Sequence, residues 1–370
     1  MGLENSALSE THNLPIKHDG EVHSGKVRSV YWLTSEDSRR LVDARGYPVR
    51  SDTGLGVMID SDRISAFNVN WKAENGLMGV IGKGACLNIT SQHWFERFDK
   101  EGLAGNHILD VPHPLVWIVQ KADPIMIEAI ARQYITGSMW GDYSEGGVRN
   151  FCGHQLPPNL TKNQRLTELL ITPTTKGILK GIPGVPEKDD ANITREDILS
   201  NYFRFGFHVP SHVVKYEQLL RGGFELIARE SEAVKQLFVD TKFEFGYVRN
   251  DDGSIGMIYI DEVGTLDSSR YWPRDEYEKD PVNVTEESKE GFRQYLIGKF
   301  GKKLMTGKEK DVVTEKKRIA AEYRVPVEEF MKVSDTYRRM TEKLTGKSIP
   351  EIHDARGEIL DTLTPYGIVA

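Results

Sequence analysis

The stretch Asp240-Thr-Lys-Phe-Glu-Phe-Gly246, continuing through Asp251-Asp-Gly-Ser254 to Ile255–Asp261, decides how this chain is read. Two runs rich in β-branched and aromatic residues flank Asp252-Gly253, a dipeptide that favours a tight hairpin turn. The spacing predicts strands over Phe238–Arg249 and Ser254–Val263. Alternation along the first puts Asp240, Lys242 and Glu244 on one face, with Phe243 and Phe245 on the other. A two-residue turn centred on Asp252-Gly253 then sets Glu244 directly opposite Asp261, with Cβ atoms about 5 Å apart. Like charges at that distance repel by about 3 kcal/mol at an effective dielectric of about 20. A bound divalent cation relieves the repulsion. Mg2+ suits one or two carboxylates completed by water and phosphate oxygens, and Lys242 on the same face could reach those phosphates. A solvated hairpin in which Glu244 pairs with Lys242 or another cation relieves it too. A three-residue loop would shift the pairing by one and undo the opposition.

Upstream of this hairpin the pattern is strand-rich. β-like runs occur at Lys26–Leu33, Gly54–Ile59, Val116–Lys121 and Ile125–Thr136, with a helical stretch around Cys86–Phe98 between them. Gly and Pro punctuate the middle of the chain, and helical patterns appear at Arg195–Asn201 and Phe224–Phe238. Near the C-terminus, Pro326 suits a first helical position, and Phe330, Val333, Tyr337, Met340 and Leu344 step by three and four along one buried face. The expected organisation is a flexible lead-in over 1–22, a strand-rich lobe over 23–136, an α+β lobe with long loops over 137–346, and a tail over 347–370.

Composition excludes several function classes. Lys and Arg number 48 against 55 Asp and Glu, a net charge of −7, which argues against a nucleic-acid binder working through bulk charge. The Lys316-Lys317-Arg318 cluster sits among glutamates and reads as a solvated helix face. No apolar run approaches the roughly 18 residues of a membrane span. Gly2 with Ser6 fits only a loose acylation pattern, and a cytoplasmic protein is the default. The two cysteines, Cys86 and Cys152, form no CxxC or Cys/His cluster.

Further constellations point to phosphate. Gly25-Lys26-Val27-Arg28 places two cations on one strand face beside a glycine that lets backbone amides approach an anion. Glu128 and Arg132 share a strand face that runs into a Gly137-Ser138 turn, and Asp267-Ser-Ser-Arg270 offers another hydroxyl and guanidinium. A plain turn and a structural ion pair explain the same residues. Ser/His/Asp, Walker and GxGxxG arrangements are absent, so any ATP is held another way.

Taken in order, Gly25–Arg28, Asp62-Arg-Ile-Ser-Ala-Phe67, Gly82-Lys-Gly84 with Trp94-Phe95, Tyr134–Ser138, Thr172-Pro-Thr-Thr-Lys176, Asp240–Gly246 and Asp261-Glu262 through Asp267–Arg270 resemble the phosphoribosylaminoimidazole-succinocarboxamide synthase (SAICAR synthetase) family over roughly residues 25 to 346. The resemblance implies a two-lobed α+β fold with a protein-kinase-like, antiparallel β-rich first lobe. It also implies ATP-dependent ligation of L-aspartate to carboxyaminoimidazole ribotide (CAIR) through an acyl phosphate, with Mg2+. By the same analogy Gly25, Lys26, Val27, Arg28 and Glu128 bind ATP, and Glu244 and Asp261 hold the metal. Arg132, Ser138, Asp267, Arg270, Arg63 and Lys83 bind substrate. Lys242 and Asp240 are the expected catalytic residues, Asp240 as the base because the amine must be neutral to attack and this carboxylate shares the lysine's face. Asn68 stands where the family usually has aspartate, and about 181–223 is longer than the family leads one to expect. The cations assigned to phosphates imply a locally positive pocket. A kinase-like phosphotransferase and a non-catalytic nucleotide-binding protein remain rival readings, and homo-oligomer formation is left open.

Overall fold

The computed structural model describes residues 7–307 and 309–370, so Gly2 and Ser6 lie outside the described residues. A five-stranded antiparallel sheet forms the first lobe in the order His23–Ser24, Arg28–Trp32, Leu55–Asp60, Val116–Gln120, Ile108–His113. Leu55–Asp60 is buried along its whole length, as its continuous apolar run requires. Helix Lys83–Lys100 packs beneath this sheet and crosses helix Val327–Thr345. The latter buries Phe330, Tyr337, Met340 and Leu344 as their spacing predicts, with Pro326 one place earlier than expected, at the N-cap.

The second lobe is built on one 14-residue strand, Gln236–Arg249. On one side it pairs with Asp123–Pro124 and Ile127–Tyr134. On the other it pairs with Ile255–Ile260 over its second half and with Ser269–Pro273 over its first. The latter two strands run in the same direction along a common partner, so the chain between them, Asp261–Ser268, bulges out as an excursion anchored at both ends. The Lys242 amide donates to Ser268 O at 3.1 Å where the strand resumes.

Several sequence expectations shift. The turn is a three-residue loop, Asp251-Asp252-Gly253, closed by the Asn250 amide on Ser254 O at 2.9 Å, with Gly253 at φ 81°. Glu244 therefore faces Ile260, not Asp261. The helix read at Phe224–Phe238 runs from Ser211 to Ala233, and Lys235 at φ 59° separates it from the long strand. Leu237 and Phe238 belong to that strand. The lead-in is packed from Leu8 onward, because Leu8, Leu14 and Ile16 are buried against the first lobe and the tail. The tail forms helix Ala355–Leu363, with Ile359 and Leu363 in the core. Lys316 is buried and donates to Gly307 O at 3.1 Å, whereas Arg318 pairs with Glu315 and Glu322 on the solvated face.

Tyr259 joins the lobes: its ring meets Phe95, Phe98, Phe243 and Phe245, and its amide donates to Gly105 O at 3.0 Å. Among the described residues no helix is long and apolar enough to cross a membrane. Beside Phe95, His107 is packed edge-on to that ring and to Trp117, and neither of its ring nitrogens has a hydrogen-bond partner. Burial pushes its pKa down to about 4. An unfolded histidine takes up its proton near pH 6.5, so the unfolded chain binds that proton first as pH falls. Stability is thus lost from about pH 6.5 down to about pH 4, by about 3 kcal/mol in all. His107→Gln is expected to flatten this acid limb, measured as the urea midpoint against pH.

Candidate active site

The site lies between the lobes, where the excursion meets the first sheet. Gly25 to Arg28 form a tight turn, the Gly25 amide donating to Arg28 O at 2.7 Å. Arg28 then opens its strand directly opposite Asp60. Its guanidinium is shared among Asp60 at 2.6 Å, Asp261 and Glu262 at 3.0 Å. One cation thus answers three carboxylates. Burial, together with Glu262 and Asp261, pushes Asp60 up to about 7 against the pull of Arg28. Lys26 reaches the tip of the hairpin Ile64–Ala66/Val69–Trp71 and donates to Asn68 Oδ1 at 2.8 Å. Phe67 and Asn68 both have positive φ, 58° and 65°, as a two-residue hairpin turn of this hand demands.

On the long strand Lys242 donates to Glu128 at 2.7 Å and lies 3.8 Å from Glu244. Burial alone would lower the Lys242 pKa; the Glu128 and Glu244 carboxylates hold it above its ordinary value. Glu244 is buried and paired with Lys176. Its carboxyl is raised by burial and by Asp261, in spite of Lys176 and Lys242. The shifted register leaves the two acids within electrostatic reach of each other, and Asp261 turns at φ 64° immediately after the strand ends. Burial disfavours the charge on Asp261, yet Arg28, Lys176 and Lys242 bring its pKa down to about 2.

A second ionic group surrounds Asp240, which is buried and lies across from both Arg132 and Arg270 in the sheet. Its Oδ2 accepts from Arg132 at 3.0 Å and from Arg270 at 2.5 Å. Arg270 also meets Glu290 at 3.3 Å. The guanidinium of Arg270 lies against Gly137, at φ 57°, where a Cβ would come within 2.7 Å of it. Ser138 follows, exposed, in the first turn of helix Gly137–Ser144. Arg132 and Arg270 are therefore brought together on Asp240, and the helix start that carries Ser138 lies beside Arg270.

The third group centres on Asp267, whose oxygens accept from Lys83 at 2.9 Å, Lys289 at 3.3 Å and the Tyr337 hydroxyl. Lys83 is fully buried and Asp267 only 3% exposed, so this pair fastens the excursion to the start of helix Lys83–Lys100. Arg63 lies elsewhere, behind the Gly25 turn, donating to Ser61 Oγ at 3.0 Å and Gly25 O at 3.3 Å.

The cations expected to leave the pocket positive are thus largely paired: Arg28, Lys242, Arg132 and Arg270 each meet a carboxylate, and the region around Asp261 carries more acids than bases. Sequence reading missed Lys176, Asp190 and Lys289 as site residues. Lys176 was visible only as the end of Thr172–Lys176. Asp190 lies in an irregular loop at φ 53°, and burial with Glu128 and Asp189 raises its pKa. Lys289 begins helix Lys289–Phe300, and burial lowers its pKa to about 8.

The SAICAR synthetase family matches residues 21–308 of the chain. Phosphoribosylaminoimidazole-succinocarboxamide synthases of Vibrio campbellii and Saccharophagus degradans are 52% and 53% identical, over 100% and 98% of both chains respectively. Among solved structures, a SAICAR synthase from Saccharomyces cerevisiae complexed with SAICAR matches with TM-score 0.61 at 24% identity, covering 90% of this chain and 96% of that one. A type-2 SAICAR synthetase in complex with ADP matches with TM-score 0.56 at 17% identity, covering 90% and 100%. These two matches share the fold.

Removing one partner of a buried ion pair strands the other. Lys83→Met is therefore expected to lower unfolding free energy by about 3–5 kcal/mol, read from urea titration. Arg318→Ala, on the solvated face, is expected to leave the midpoint unchanged.

Proposed function

Because the chain belongs to the SAICAR synthetase family, we propose that the three ionic groups divide its reaction among nucleotide, metal and ribotide. The chain is an ATP-dependent carbon–nitrogen ligase that joins L-aspartate to CAIR in purine biosynthesis, giving SAICAR, ADP and phosphate. A carboxylate does not yield to an amine while oxide is its leaving group. Transfer of the γ-phosphoryl group of ATP to the CAIR carboxylate gives an acyl phosphate, and the α-amine of aspartate then displaces phosphate. Such chemistry depends on alignment and charge neutralisation rather than on a protein nucleophile.

In this reading the Gly25 to Arg28 turn, through Lys26, Val27 and Arg28, receives the ATP phosphates, and Glu128 lies toward the nucleoside. Glu244 and Asp261 fit Mg2+. They are two carboxylates, Glu244 raised by burial and then by the charge of Asp261, a number this ion accepts while taking its other oxygens from phosphate and water. Bound there, Mg2+ would neutralise charge on the transferring phosphoryl group. Arg132 and Arg270, held in place by Asp240, grip the 5′-phosphate of the ribotide with the Ser138 hydroxyl. Lys83 and Asp267 support the substrate side from below. Lys242 sits between the nucleotide and ribotide groups and offers its ammonium to the γ-phosphoryl oxygens, whereas Asp240, committed to the two guanidiniums at the 5′-phosphate end, holds them in place and is not the proton acceptor for the amine. Charged, water-soluble substrates suit a cytoplasmic site of action.

The observation that carries this assignment is the Asp261–Ser268 excursion. One eight-residue segment presents Asp261 to the Arg28 group and Asp267 to the Lys83 group, and resumes its strand at Ser269 beside Arg270. Stoichiometric phosphate release is expected only with ATP, CAIR and L-aspartate together; phosphorylated product without aspartate would favour a kinase. Glu244→Gln and Asp261→Asn are each expected to lower Mg2+-dependent kcat by at least about a hundredfold with the fold retained by circular dichroism. Full activity in either would remove the metal assignment.

A further inference from the structure

The segment from Leu8 to Lys17 and the chain from Asp354 to Ala370 both lie outside the residues matched by the family, 21–308. They bind each other. Ile16 bridges Val369, the Lys17 amide donates to Ile368 O at 2.8 Å, and the Ala370 amide donates to Pro15 O at 2.8 Å. Arg356 adds bonds to Asn13 Oδ1 at 3.0 Å and Asn13 O at 2.8 Å. The C-terminal side is fixed in turn to the first lobe, with the Tyr366 hydroxyl on Asp110 of the sheet at 2.7 Å and Arg40 of helix Ser35–Arg45 on Tyr366 O at 2.9 Å.

The other face of the N-terminal segment lies against the phosphate turn. The Leu8 amide donates to Asp62 Oδ2 at 2.8 Å, and the Asp62 amide returns a bond to Leu8 O at 2.8 Å. Thr11, fully buried, has its hydroxyl 2.7 Å from that of Ser29, the residue after Arg28, and its carbonyl accepts from the Tyr31 hydroxyl at 2.7 Å. Arg63 sits between segment and turn, reaching Gly25 O at 3.3 Å and Thr11 Oγ1 at 3.5 Å while held by Ser61 Oγ at 3.0 Å. Ser61 itself holds Val27 O through its amide at 2.8 Å and its hydroxyl at 2.6 Å. The Gly25 and Val27 carbonyls of the turn are thus fastened by Arg63 and Ser61.

We propose that the two terminal segments form a clasp that sets the conformation of the Gly25 to Arg28 turn, with Thr11 and Arg63 as positioning residues for nucleotide binding. This rests on the reading of that turn as the ATP phosphate site. The conformation of the turn decides where its amides point; Ser61 and Arg63 hold its carbonyls, and the clasp acts on it through Thr11, which meets Arg63 and Ser29. Its contribution therefore falls on ATP affinity rather than on the later steps.

The test uses the full chain. Thr11→Val keeps the shape of the side chain and removes the hydroxyl. It is expected to raise the KM for ATP by roughly three- to tenfold, the worth of one or two buried hydrogen bonds, with kcat and the KM values for CAIR and L-aspartate within about twofold. Thr11→Ser should restore the wild-type value. Arg63→Met and Arg356→Ala should move the same constant in the same direction. Amide hydrogen exchange over residues 25–29 should quicken in Thr11→Val, a readout independent of nucleotide. Unchanged exchange overturns the clasp. Quickened exchange with an unchanged KM for ATP, in a protein whose Lys26→Ala variant does raise that KM, overturns its role in nucleotide binding. A Lys26→Ala variant with normal KM for ATP would instead remove the phosphate-site reading and the proposal with it. A parallel fall in kcat and in affinity for all three substrates marks a purely structural part and also overturns it.

Discussion

Everything at the cleft depends on Arg28 answering three carboxylates at once. A buried ion pair gains little over apolar packing, and one cation among Asp60, Asp261 and Glu262 leaves uncompensated negative charge. The arrangement holds because Asp60 comes from the first sheet while Asp261 and Glu262 come from the excursion of the second. Arg28 is thus the electrostatic bridge between lobes whose apolar contact runs through Tyr259 and its neighbouring phenylalanines. The excess of acid at this corner is offset by Lys176 on Glu244 and Lys242 on Glu128.

The other two ionic groups differ in kind. Around Asp240 two guanidiniums converge on one carboxylate beside a helix start and an exposed hydroxyl, leaving donors for an anion. Around Asp267 the charges are almost wholly buried, and Lys83 stands at the first turn of its helix, where a cation gains nothing from the helix dipole. Its position is explained by the acid it meets across the chain. The two ionic groups thus meet the same stretch of chain a few residues apart, at Asp267 and Arg270.

The sequence made much of this legible, for unequal reasons. Alternation was enough to put Asp240, Lys242 and Glu244 on one strand face, and helical spacing was enough for the Phe330 to Leu344 stripe. The pairing of Glu244 with Asp261 was inferred from a two-residue turn that does not exist. The two acids still influence each other electrostatically, and Asp261 itself takes a left-handed conformation that no periodicity encodes. Lys176 and Asp190 were hidden because loops carry no repeat to read. The clasp was hidden because its partners, such as Lys17 and Ile368, are almost a whole chain apart, and polar terminal residues look alike whether docked or loose. The helix before the long strand was read too late because Gly222 and Gly223 interrupt its pattern; Gly223 is there for close approach, since a Cβ would lie 2.9 Å from Phe243.

The excursion has one more property. Its two ends are stitched by ladder bonds to a single strand, Gln236–Arg249, so the distance between its anchors is set by that strand alone. Closing such a loop costs little more when it grows by a residue or two. The spacing of the anchors is thus independent of the length between Ile260 and Ser269, while Asp261 and Asp267 are placed by their own ion pairs with Arg28 and Lys83.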